Sequence, residues 1–140
     1  MTHDNLTEEQ WERKLNIRTG GGSNHTADGE NFPYEPTPYS VLVRLAGSGY
    51  LNRENKLIDY GCGKGRASIL LSHLTGCRVT GIDYNEHLVA AAKENYIRSR
   101  EKRVTFLHMS AEQYELTDEI DCSDLFEGNQ KRERILVFES

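Results

Sequence analysis

The chain has 140 residues, 17 Lys plus Arg against 22 Asp plus Glu, and a formal net charge of −5. That length fits one domain whose core can form without disulfides or a structural metal, and the acidic balance argues against a general coating of polyanions, which needs an excess of cations. The longest apolar run, residues 88–92, is far short of the roughly 20 needed to span a bilayer, and the start of the chain lacks a basic then apolar leader, so a cytoplasmic protein is expected. With 36% apolar residues the core should be small. Cys62, Cys77 and Cys122 are odd in number and lack CxxC spacing, which predicts reduced, buried thiols and no zinc site. None of the five histidines has a convincing metal or base partner in the sequence, so no metal is expected.

In chain order, Thr7 and Gln10 form a capping box, and Glu8 and Glu9 suit the positive end of a helix running to about Leu15. Its packing face would carry Trp11, Leu15 and the stem of Arg18. Gly20, Gly21, Gly22 and Ser23 break it, and 20–32 reads as a flexible linker or a loop ordered by ligand. Pro33, Pro36 and Pro38 make 32–39 stiff and extended, leading into a helix over about 38–46 with Tyr39, Leu42, Val43 and Leu45 inward.

From Lys56 the pattern alternates between strand and helix. Residues 57–60 form a short apolar strand, followed by a helix stripe of Ala67, Leu70, Leu71 and Leu74 that Gly76 caps. Residues 78–83 are a second strand. Asn85 caps a second helix with Leu88, Ala91, Ala92 and Tyr96 buried, and 104–108 are a third strand. Strands alternating with helices predict an α/β, doubly wound, mainly parallel sheet with few strands. Further on, 120–122 is a candidate start of a fourth strand and 134–139 reads as a terminal strand. About a dozen mostly polar residues lie between them, barely the minimum for a helical crossover, so the place of the last strand stays open between fourth and fifth.

The chemistry concentrates in Asp59, Tyr60, Gly61, Cys62, Gly63, Lys64 and Gly65, between the first of these strands and its helix. Glycines here let the backbone turn sharply and approach a ligand that a Cβ would push away. The spacing is G-x-G-x-G, and Arg66 fills the place of the third glycine of a dinucleotide fingerprint, which weakens a nicotinamide or flavin reading. Asp83, at the tip of the second strand, is placed to accept from both hydroxyls of a ribose. Asp59 would repel a phosphate and favour an ammonium or sulfonium. The inferred ligand is a nucleoside carrying an amino-acid tail.

These two stretches, Leu57 to Arg66 and Val79 to Tyr84, resemble motif I and the following acidic motif of class I S-adenosylmethionine-dependent methyltransferases, over about residues 56–112. The resemblance implies a Rossmann-like fold, S-adenosyl-L-methionine as cofactor and methyl transfer to an unidentified acceptor: a small molecule, a protein or RNA. It places Asp59, Gly61 and Gly63 beside the methionine part, with Cys62 in the same loop, and gives Asp83 the ribose and Tyr84 the adenine border. Ser110, Ala111 and Glu112 fall at the adenine contact, with Ser110 where the family often carries Asp. Residues 34–39 resemble the stiff segment that closes over the cofactor in some small members. The Asn/Asp-Pro-Pro-aromatic motif of many amino-group methyltransferases is absent, since no proline follows Pro38, and residues for the family's last two strands are missing. The cofactor-binding domain would then cover 38–140, preceded by a helix and flexible segment over 1–37. The alternatives are a catalytically silent or truncated cofactor-binding module that associates with itself or a partner, and a different nucleoside-using enzyme. No catalytic base is legible. Plainer readings stand beside several residues: Cys62 as a small buried hydrophobe, Glu112 as a first-turn helix acid, Tyr34 and Tyr39 as packing groups, and Arg98, Arg100, Lys102 and Arg103 as a solvated helix end.

Overall fold

The structure, a computed structural model, describes residues 6–20, 22–25, 31–115 and 135–139. In chain order it comprises α1 (Glu8–Leu15), β1 (Gly22–His25), β2 (Asn31–Tyr34), α2 (Tyr39–Ala46), β3 (Lys56–Tyr60), α3 (Arg66–Thr75), β4 (Arg78–Asp83), α4 (Glu86–Ser99), β5 (Val104–His108), α5 (Ala111–Glu115) and β6 (Ile135–Glu139). Among the described residues, four strands form a parallel sheet in the order β5-β4-β3-β6, with Ile58 opposite Thr80 and Val137, and Ile82 opposite Leu107. The expected α/β parallel sheet is therefore present. β6 lies directly beside β3, which settles the place of the terminal strand; residues 120–122, including Cys122, lie outside the described residues.

The central strands are buried on both faces, as a parallel sheet covered by crossovers requires. Leu57, Val79, Val104 and Phe106 share one large core with Trp11, Leu15, Ile17, Leu42, Ile69, Leu70 and Val89. Ile58 and Ile82 face the other way, against Tyr114 of α5. Alternation along β3 thus sends Leu57 and Asp59 toward α3, whose Ser68 bonds Asp59, and Ile58 toward α5.

Three details differ from the sequence reading. Within 20–32, Gly22–His25 pairs antiparallel with Asn31–Tyr34; Pro33 stands opposite Ser23, tolerated because a two-stranded ribbon has outer edges where a missing N–H breaks no ladder bond. The buried face of α4 carries Leu88, Val89, Ala92 and Asn95, with Ala91 and Tyr96 only half-buried. Arg18 is exposed rather than packed, while Ile17 takes the core position after the αL cap at Asn16. The Thr7–Gln10 capping box is formed as read.

Candidate functional site

The turn between β3 and α3 is built by hydrogen bonds to the next strand. Gly61 and Cys62 N–H both donate to the Ile82 carbonyl, at 2.8 and 3.0 Å, which folds the loop back over the end of β4. Gly61, Gly63 and Gly65 all have positive φ, at 74°, 54° and 92°. What surrounds two of them differs. A Cβ on Gly63 would collide with Tyr34 Cε1, so this glycine makes room for an aromatic ring over the loop. A Cβ on Gly65 would meet Phe106 Cζ at 2.7 Å, so that glycine lets α3 start close against the sheet.

Asp83, nearly buried at the end of β4, accepts from Gly63 N–H at 3.0 Å through Oδ2 and from Asn85 N–H at 2.9 Å through Oδ1. Asn85 in turn caps α4 by accepting from His87 and Leu88 N–H. The carboxylate therefore ties the glycine turn to the start of the next helix.

A cleft of about 210 Å³ opens here, lined by residues 34–37, Gly61, Cys62, Gly63, Arg66, Ala67, Asp83, Tyr84, Asn85 and Leu88. The structure thus brings Gly61, Cys62, Gly63, Asp83 and Tyr84 together. Tyr84, 81% exposed, stands at the rim, its carbonyl accepting from His108 Nε2 at 3.0 Å. Asp59 lies elsewhere: fully buried under the loop, its Oδ2 accepts from Ser68 Oγ at 2.8 Å, and it does not line the cleft. Ser110 begins α5 in a reciprocal pair with Gln113, each backbone N–H donating to the other's side chain, and Ala111 and Glu112 are exposed in the first turn. These three do not line the cleft either.

The polar character of the cleft is acidic. Glu35 and Asp83 line it, while the charge of Arg66 is engaged elsewhere: Nη1 pairs with Glu8 Oε1 at 3.2 Å and donates to the Thr37 carbonyl at 3.2 Å, Nε donates to Thr19 Oγ1 at 2.8 Å, and the guanidinium stacks 4.3 Å from the Tyr39 ring centroid. Burial pushes the Cys62 thiol well above its ordinary range, and the nearby carboxylates of Asp59 and Asp83 push it further, so it is a neutral, apolar wall. Burial also raises the Tyr34 phenol and lowers the Lys64 ammonium; Lys64 Nζ lies 4.9 Å from the Tyr34 ring centroid.

Sequence reasoning missed Arg66, Ala67, Asn85 and Leu88 as cleft residues. Asn85 and Leu88 were read only as a cap and a core residue, roles they also fill. Arg66 carried a legible signal, a long cation inside an otherwise apolar helix start, but its partners at 8, 19 and 37 are distant in sequence.

A family model described as a methyltransferase domain matches residues 51–131. Among solved structures, an RNA methyltransferase from Salinibacter ruber in complex with S-adenosyl-L-homocysteine is 28% identical over 54% of this chain and 50% of that one, with a TM-score of 0.50. A protein-L-isoaspartate O-methyltransferase (18% identity, 64% of this chain and 28% of that one, TM-score 0.52) and a precorrin 8w decarboxylase from Methanobacterium thermoautotrophicum (23%, 57% and 43%, TM-score 0.51) share the fold. The chain spans half or less of the length of these structures. No curated protein sequence matches it significantly. With more than half of its residues inside the matched region, the chain belongs to the methyltransferase-domain family.

Proposed function

We propose that the chain binds S-adenosyl-L-methionine in the cleft over Gly61 and Gly63 and that the domain transfers its methyl group to an acceptor. The observation that carries this reading is the meeting, on one cleft, of a glycine-rich turn at Gly61 and Gly63 and the carboxylate of Asp83 at the neighbouring strand end. An acidic lining suits a ligand with a sulfonium and an ammonium. When bound, the cofactor supplies a methyl carbon on a good leaving group.

The protein's own task is then chiefly positioning. Asp83, held by two backbone N–H groups, would present its free lone pairs to the ribose hydroxyls, with Tyr84 bordering the base at the rim. The Tyr34 ring stands against Gly63, and the cleft is below the roughly 300–1,000 Å³ usual for ligand sites, so binding would require the ring to swing off the loop. The test is calorimetry with S-adenosylmethionine, S-adenosylhomocysteine and NAD: binding of the first two is expected, and binding of NAD alone overturns the reading. Consumption of the methyl donor with cell extract then separates a transferase from a silent module.

A further inference from the structure

We propose that Asn95 is a positioning residue, a latch on α4 that holds the strand-free segment of residues 17–20 against the glycine turn and so sets the geometry of the cleft. The inference rests on the reading of that cleft as the cofactor site. Asn95 is 2% exposed, on a face where Leu88, Val89 and Ala92 are otherwise apolar. Its side chain touches backbone at three points: Oδ1 accepts from Arg18 N–H at 2.9 Å, and Nδ2 donates to the Arg18 carbonyl at 3.0 Å and to the Lys64 carbonyl at 2.9 Å. Both amide protons face carbonyls, so the reversed amide would set its oxygen against two acceptors. Lys64 lies between Gly63 and Gly65, two of the three glycines whose left-handed conformations shape the turn.

A buried amide whose partners are all main chain spans 77 residues on one side and 31 on the other. That arrangement fixes backbone to backbone, and it does not depend on which side chains occupy the joined segments. The same segment is gripped again where Tyr34 Oη donates to the Thr19 carbonyl at 3.2 Å, and that ring is the one resting on Gly63. Asn95 therefore ties α4 directly to the turn at Lys64 and to the backbone of Arg18, and Tyr34 of β2 and Arg66 of α3 hold the same segment at Thr19.

The test is Asn95→Asp, which preserves volume and the acceptor while removing both donors. In ligand-free protein the Gly65 amide, which bonds the Cys62 carbonyl within the turn, is expected to exchange with solvent about tenfold faster relative to the Val79 amide in the sheet. Equal acceleration at both sites, or none, overturns the proposal, since a merely structural role would loosen the whole domain together. The affinity for S-adenosylhomocysteine is expected to fall about tenfold while Trp11 keeps the emission of a buried indole; unchanged affinity in the folded variant overturns it. If the variant does not fold, exchange in the native protein decides: the Arg18 and Gly65 amides should open with the same free energy along a denaturant series, and a freely exchanging Arg18 beside a protected Gly65 overturns the latch. A native protein that takes up no S-adenosylhomocysteine overturns the cofactor assignment alone, because the exchange measurements read the latch without ligand.

Discussion

Asp83 joins two backbone contacts and the proposed ribose contact at one carboxylate, and a single replacement removes them together. Asp83→Ala removes the acceptor for Gly63 and Asn85 N–H along with the proposed ribose contact, and should lower cofactor affinity by about 1.5–3 kcal/mol, the range for hydrogen bonds to a charged group. Calorimetry measures this, and unchanged affinity would remove Asp83 from the site. At Gly65 the effect belongs to stability. Gly65→Ala forces a Cβ into Phe106 at a φ of 92°, and left-handed strain plus overpacking should sum to roughly 2–5 kcal/mol, read as a shift of the urea midpoint. Cys62 gives a third test at this scale. Its thiol is held neutral by burial and by the two carboxylates, so iodoacetamide near pH 8 should leave it unlabelled in the folded protein and label it in urea; rapid labelling of the native chain would contradict the geometry.

Between elements, Arg66 connects the first turn of α3 to α1, to the segment after it and to the approach to α2. Magnitudes decide which of its contacts matters. Glu8 is about half exposed, so its ion pair contributes little, and Glu8→Gln should change stability by no more than about 1 kcal/mol. Arg66→Met takes a donor from Thr19 Oγ1, from the Thr19 carbonyl and from the Thr37 carbonyl; Glu12 and Tyr34 still bond the Thr19 groups, so the loss at Thr37 and of the buried guanidinium contacts should destabilise by roughly 1–3 kcal/mol. Equal effects of the two variants in urea unfolding would show that the ion pair, rather than the buried neutral acceptors, dominates. The start of α5 shows the converse case: Ser110 and Gln113 satisfy each other locally, a capping arrangement written within four residues.

Across the whole molecule, α1 is part of the main core. Trp11 stacks on Tyr39 at 6.0 Å, and Leu15 and Ile17 share a cluster with Leu70 and Val89. Emission of Trp11, the single tryptophan, should therefore report the same unfolding transition as far-ultraviolet circular dichroism; an earlier Trp11 transition would mean that the N-terminal helix detaches on its own. Among the described residues no helix is long and apolar enough to cross a membrane.

Much of this was legible in the residues because it rests on local rules. Apolar periodicity marked β3, α3, β4, α4 and β5; Thr7 and Asn85 announced helix starts; and glycine spacing after a strand placed the turn beside Asp83. The position of β6 beside β3 was not legible, because strand order depends on pairing between segments some 75 residues apart rather than on either segment's composition. Nor was the separation of Asp59 from the cleft. It follows from strand alternation combined with the packing of Ser68 from α3, and a carboxylate beside a glycine loop looks the same in sequence whether it faces a ligand or a hydroxyl. The role of Asn95, and part of that of Arg66, depends on main-chain partners, whose hydrogen-bonding groups are identical at every residue except proline, so their choice emerges where folding brings distant backbones together.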